Sequence, residues 1–142
     1  MTQQRIDFIA ASPDAIKAMY ALEASIAKLG VEHSLLELIR LRASQINGCA
    51  FCVDMHTSDA RKAGETERRL YAVSVWRETP FFTPRERAVL GWTEALTLMA
   101  QQHPSDAAYA ALAAELAAAA ARGARHPVGA PTDRPARAPR VR

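Results

Sequence analysis

The chain has 142 residues, of which 49% are hydrophobic, enough for one domain with a real core. No run approaches the roughly 18 apolar residues of a membrane span, and residues 1–7 lack the basic start and apolar stretch of a secretory signal. The formal charge of +3 is uneven: residues 122–142 hold six arginines and one aspartate, whereas residues 1–121 hold twelve basic and fourteen acidic side chains. A basic tail on a mildly acidic body supplies only salt-sensitive phosphate attraction, so no specific nucleic-acid partner and no membrane partner are expected.

The punctuation predicts a series of helices. Ser12-Pro13-Asp14 is a helix start, with Ser12 as N-cap and Pro13 at the first helical position. Ile16, Met19, Tyr20, Ile26 and Leu29 recur at helical spacing until Gly30, a natural stop. Ser34 and Glu37 have capping-box spacing for a second helix, whose apolar face of Leu35, Leu38, Ile39 and Ile46 runs to the breaker pair Asn47-Gly48. A third helix is expected from near Cys49 to Gly64, and a fourth, capped by Thr66, through Leu70, Val73 and Trp76 to Pro80.

Thr83-Pro84-Arg85-Glu86 combines a capping box with a first-turn proline and starts a fifth helix, with Val89, Trp92, Leu96 and Met99 on one side. Residues 1–104 show no period-two alternation, so the expected fold is all-α. Residues 105–121 read as an alanine-rich helix, because alanine favours helix but offers little area for packing. Residues 122–142, rich in Arg, Pro, Ala and Gly without periodicity, read as a disordered tail.

The chemistry is concentrated in Cys49-Ala50-Phe51-Cys52-Val53-Asp54-Met55-His56, which holds both cysteines of the chain. On one helix the two thiols and the imidazole fall at i, i+3 and i+7, within about 60° around the axis. In a first turn, free N–H groups and the helix dipole stabilise thiolate, the nucleophile of thiol–disulfide exchange and peroxide reduction. His56 is spaced to exchange a proton with the Cys52 thiol. If Asn47-Gly48 turns the chain into a helical hairpin, Glu37 comes to face His56 and can orient its ring.

Plainer roles compete with these. By spacing alone Glu37 is better explained as closing a capping box with Ser34, a lone histidine is usually structural, and two cysteines one turn apart can be small buried hydrophobes. A three-ligand metal site from Cys49, Cys52 and His56 also stays open, although a structural zinc site wants four ligands. Haem attachment would need histidine where Val53 stands, and a thioredoxin-type motif would need a βαβ context. His33 and His103 look like loop or helix-end residues, and Trp76 and Trp92 look like core.

Residues 36–56, with the pattern E-x11-C-x2-C-x3-H from Glu37 to His56, closely resemble the carboxymuconolactone decarboxylase-like superfamily in its alkylhydroperoxidase D-like branch. The similarity extends over residues 5–100. The resemblance implies an all-helical subunit that assembles as a homo-oligomer, trimer or hexamer, and a peroxidase that takes electrons from a dithiol donor without metal or organic cofactor. It assigns Cys52 as the thiol that attacks peroxide, Cys49 as its disulfide partner, and Glu37 and His56 as a proton relay. A first-turn argument would instead favour Cys49 as the attacking thiol. The lactone reaction is not implied, since the decarboxylase branch lacks the CxxC.

Residues 1–104 are thus expected to form the alkylhydroperoxidase D-like domain, working in the cytoplasm on a peroxide substrate. The alanine run and Arg/Pro tail depart from the family pattern, which has a Leu/Ile-rich core helix there; they carry the bias of a GC-rich gene read out of frame. The alternatives to an enzyme are a redox-sensing or metal-binding helical module and an inactive member with an altered C-terminus.

Overall fold

The computed structural model describes residues 5–123, and the expected disordered tail lies outside them from residue 124 onward. The described chain is all-α. Its helices are α1 (Phe8–Ala11), α2 (Pro13–Ile26), α3 (His33–Ile46), α4 (Ala50–Lys62), α5 (Glu67–Ala72), α6 (Pro84–Thr97) and α7 (Asp106–Gly123), with 3-10 turns at Ala27–Leu29 and Val73–Glu78. No helix among the described residues is long and apolar enough to cross a membrane.

Most helix boundaries follow local chemistry. Pro13 opens α2, although the Ser12 side chain makes no cap bond. Thr66 caps α5 by accepting from the Arg69 N–H. Thr83 and Glu86 form the reciprocal capping box of α6 behind Pro84. The short α1 was not anticipated; it is held by the Asp7 carboxylate, which accepts from the N–H groups of Ile9 and Ala10. The single helix expected from Thr66 to Pro80 is instead α5 followed by a 3-10 turn, because the backbone leaves helical geometry at Val75.

The core lies among α3, α4, α5 and α6. Leu38 and Leu41 from α3, Leu70 and Val73 after the Thr66 cap, and Leu90 from α6 are almost fully buried, with Trp76 and Phe82 closing the cluster. Trp76 satisfies its indole by donating to Glu94 at 2.9 Å. Glu94 also accepts from Arg42 at 2.7 Å and from Arg77, so one buried carboxylate of α6 ties α3 to the Val73–Glu78 turn. Burial by itself would raise the Glu94 pKa, but the hydrogen bonds from Arg77, Trp76 and Arg42 outweigh it and hold the carboxyl below its ordinary value.

The two ends behave differently. Neither α1 nor α2 buries a residue, and Met19, Tyr20 and Leu22 are exposed. The apolar face read from residues 16–29 therefore does not enter the core of its own chain; only Ile16 and Ile26 are half-buried. At the other end α7 packs on α6, with Tyr109 edge-on to Trp92 at 5.7 Å between ring centres. Leu112 and Leu116 of α7, Leu35 and Ile39 of α3, and Trp92 and Leu96 of α6 line an apolar groove of about 370 Å³. On α6, Val89 is buried and Trp92 half-buried, whereas Leu96 is exposed and Met99 lies beyond the helix end.

Candidate active site

The site is built on the turn between α3 and α4. Asn47 caps α3 with its N–H on the Ala43 carbonyl, and Gly48 takes φ +64°, a left-handed geometry that favours glycine. The chain then reverses, and α4 packs back along α3. Cys49 is the N-cap of α4, one place before the expected first turn, and its Sγ accepts the Cys52 N–H at 3.3 Å. Sulfur here occupies the position where a serine or aspartate oxygen usually sits, facing free backbone donors.

Cys49 and Cys52 are joined by a disulfide, with Cα atoms 5.3 Å apart, so the structure represents the oxidised form. Both are half-buried. Cys49 lines an open depression of about 460 Å³ with Gly48, Ala50, Val53, Asp54 and Thr57. On a neighbouring part of α4, Phe51 is 75% exposed and Met55 is 38% exposed, which places apolar surface beside Cys52.

The hairpin brings Glu37 to His56, as expected. His56 Nδ1 lies 2.9 Å from Glu37 Oε2, across nineteen residues of sequence. The other oxygen, Oε1, accepts from Arg40 Nη1 at 2.8 Å. Glu37 thus meets His56 and Arg40 through separate oxygens, and the Nδ1–H tautomer is the neutral ring form that donates to it. The Glu37 side chain is only 3% exposed and that of His56 is 16% exposed, so the pair is largely shielded from bulk water.

The capping-box role for Glu37 is not what the structure contains. The helix begins at His33 with Glu32 as N-cap and no side-chain cap bond, so Ser34 is already inside α3. Glu37 is then a second-turn residue facing the interior, and its carboxylate is used on His56 and Arg40 instead. His33, read as a loop or helix-end residue, is the first residue of α3, and its Nε2 is 3.7 Å from Glu37 Oε1. On α4, Asp59 has a lowered pKa, through its hydrogen bond from Lys62 and the charge of that lysine.

Arg40 is the participant that the motif did not reveal. Its Nη2 donates to Glu23 Oε2 on α2 at 2.6 Å while Nη1 holds Glu37. Burial disfavours its charge, but the hydrogen bonds and charges of Glu37 and Glu23 prevail and raise its pKa. The i, i+3 spacing of Glu37 and Arg40 signals an ion pair; no sequence signal points to Glu23. Among the described residues no group of three or more His, Cys, Asp or Glu side chains is arranged to hold a metal ion.

Residues 13–95, more than half of the chain, match the model of the carboxymuconolactone decarboxylase family. The uncharacterized protein YdfG of Bacillus subtilis (strain 168) is 42% identical over 106 residues, covering 75% of this chain and 72% of that protein. The uncharacterized protein YnjA of Escherichia coli (strain K12) is 33% identical over 61 residues, 43% of this chain and 34% of that protein. A crystal structure of ATU0492 from Agrobacterium tumefaciens, a protein of unknown function provisionally described as the antioxidant defence protein AhpD, superposes with a TM-score of 0.77. That protein is 48% identical, and the match covers 80% of this chain and 77% of the other. A matching family model, a shared all-α fold and a CxxC at the start of α4 lead to one statement of kinship: the chain belongs to the carboxymuconolactone decarboxylase family, in its alkylhydroperoxidase D-like branch.

Proposed function

We propose that the protein is a thiol-dependent peroxidase that cycles Cys49 and Cys52 between dithiol and disulfide. The observation that carries this reading is the disulfide at the N-terminus of α4, with His56 of a buried Glu37–His56 pair one helical turn beyond Cys52 on the same helix. In the proposed cycle the Cys52 thiolate attacks the terminal oxygen of a hydroperoxide. The O–O bond breaks, the alcohol leaves with a proton, and Cys52 becomes a sulfenic acid. The Cys49 thiol then displaces water, closing the disulfide. An external dithiol reduces it by exchange, its own sulfurs becoming the new disulfide.

Glu37 and His56 are assigned to the protons. The carboxylate fixes the ring with Nε2 free, and Nε2 takes the thiol proton directly or through water and returns it to the leaving alkoxide. Exposed Phe51 and Met55 suit an organic hydroperoxide better than a purely polar one. The cycle needs neither metal nor organic cofactor, and its proposed setting is the cytoplasm, where dithiol donors are maintained.

A homo-oligomer, trimer or hexamer, belongs to the same proposal. Its support is the exposed apolar side of the α1–α2 arm, with Phe8, Met19, Tyr20 and Leu22, and the apolar groove between α3, α6 and α7. Sizing chromatography over a range of concentrations tests it, and a monomer at every concentration would exclude it.

Thiol titration before and after an organic hydroperoxide, with and without a dithiol, tests the cycle. Reduced protein should lose both thiols to peroxide and regain them from the dithiol, and Cys52→Ser should abolish turnover. Unchanged turnover in Cys52→Ser would refute the mechanism. Oxidation without turnover would favour a redox sensor.

A further inference from the structure

We propose that Arg40 is the positioning residue of the Glu37–His56 relay, and that Glu23 shares it, so that the α1–α2 arm takes part in setting the site. The role builds on the relay reading above.

A glutamate side chain has three rotatable bonds, and a carboxylate held at one oxygen can still pivot about its contact. Glu37 is held at both. His56 takes Oε2 from α4, and Arg40, one turn further along α3, takes Oε1 at 2.8 Å. His33 approaches the same Oε1 only to 3.7 Å, outside hydrogen-bond range, so Arg40 is the group that fixes it. The guanidinium is planar, so its orientation on Glu37 is linked to where its other nitrogen points. That nitrogen donates to Glu23 at 2.6 Å. The result is a continuous chain of charge-assisted contacts from Glu23 through Arg40 and Glu37 to His56.

The placement of Glu23 gives this chain its meaning. The carboxylate is 57% exposed, on a helix that buries none of its residues. A guanidinium that only offset the buried charge of Glu37 would have no need of a second carboxylate on a separate arm. Shared between the two, Arg40 makes the carboxylate plane of Glu37 depend on the position of α2.

The test reads the His56 ring in reduced, 15N-labelled protein at about pH 9, where histidine is neutral. Wild-type His56 should be predominantly the Nδ1–H tautomer. In Arg40→Met it should become a mixture with Nε2–H, Arg40→Lys should be intermediate, and Glu23→Ala should shift the balance the same way by a smaller amount. Peroxide-driven thiol loss should slow by about tenfold in Arg40→Met, as is typical when the outer partner of an orienting group is removed. It should slow no further when Arg40→Met is added to Glu37→Gln.

A folded Arg40→Met with the wild-type tautomer balance, or a tenfold loss that persists in the Glu37→Gln background, would overturn the proposal. If Arg40→Met does not fold, Glu23→Ala decides, since an unchanged ring there removes the arm from the site. A wild-type protein that ignores peroxide would sink the peroxidase reading while leaving the tautomer measurement intact.

Discussion

Helices α2 and α3 are each 14 residues long, and each carries three formal charges: Asp14, Lys17 and Glu23 in one, Glu37, Arg40 and Arg42 in the other. Yet α3 buries Leu35, Glu37, Leu38, Leu41 and Ser44, while α2 buries nothing. The difference is not one of composition. Helix α3 has α4 along one side and α6 along another, and its inward charges find partners: Glu37 with His56 and Arg40, Arg42 with Glu94. Among the described residues, α2 meets α3 through Glu23 on Arg40 but buries none of its own side chains. An apolar stripe becomes a core only where a second surface meets it, and a charge can enter that core only where the same surface brings its counterpart.

The contrast can be broken or sharpened by experiment. The largest effect should come from Leu41→Ala, which empties a fully enclosed site on α3 and should cost about 2–5 kcal/mol in urea unfolding. Next, Glu37→Gln should slow peroxide-driven thiol loss by about a hundredfold, the usual scale for losing an acid–base partner. A loss of only a few-fold would reduce the relay to a structural contact.

A smaller effect concerns acid. Because Glu94 is held below the ordinary carboxyl value of 4.5, the stability it contributes is fully present above that pH and is lost as the pH falls through its lowered value. Urea unfolding between pH 7 and pH 3 should show this slope, and Glu94→Gln should flatten it. The smallest effect should be that of Tyr20→Ser on α2, within about 0.5 kcal/mol for the monomer. A cost comparable to that of Leu41→Ala, rising with protein concentration, would mean that α2 is packed in solution against another copy.

Much of the candidate site was legible because its parts are local. Asn47-Gly48 marks a turn by its own backbone preferences, and Cys52 and His56 share a helix face by arithmetic, with Cys49 as the cap before it. Facing Glu37 to His56 required only that the turn reverse the chain. The capping box at Thr83 and Glu86 was equally readable, since every atom in it lies within one turn. The same spacing at Ser34 and Glu37 misled, because two N-caps, Ser34 or Glu32 two residues earlier, are nearly equal locally. Burial of Glu37 beside His56 and Arg40 then decides where its carboxylate goes. The break at Val75 and the cap at Asp7 were missed for a related reason: short elements carry too few residues to show a period.

Sequence alone therefore determined the all-α class, most helix boundaries and the Cys52–His56 spacing on α4, since these follow from torsional preferences, caps and spacing within a few residues. Tertiary structure decided which helices bury their apolar stripes, that Glu37 serves His56 instead of Ser34, and that Arg40 spans Glu37 and Glu23. Those outcomes depend on which surfaces meet. The free energy of a buried carboxylate is set by donors arriving from other helices, whose positions no window of neighbouring residues contains.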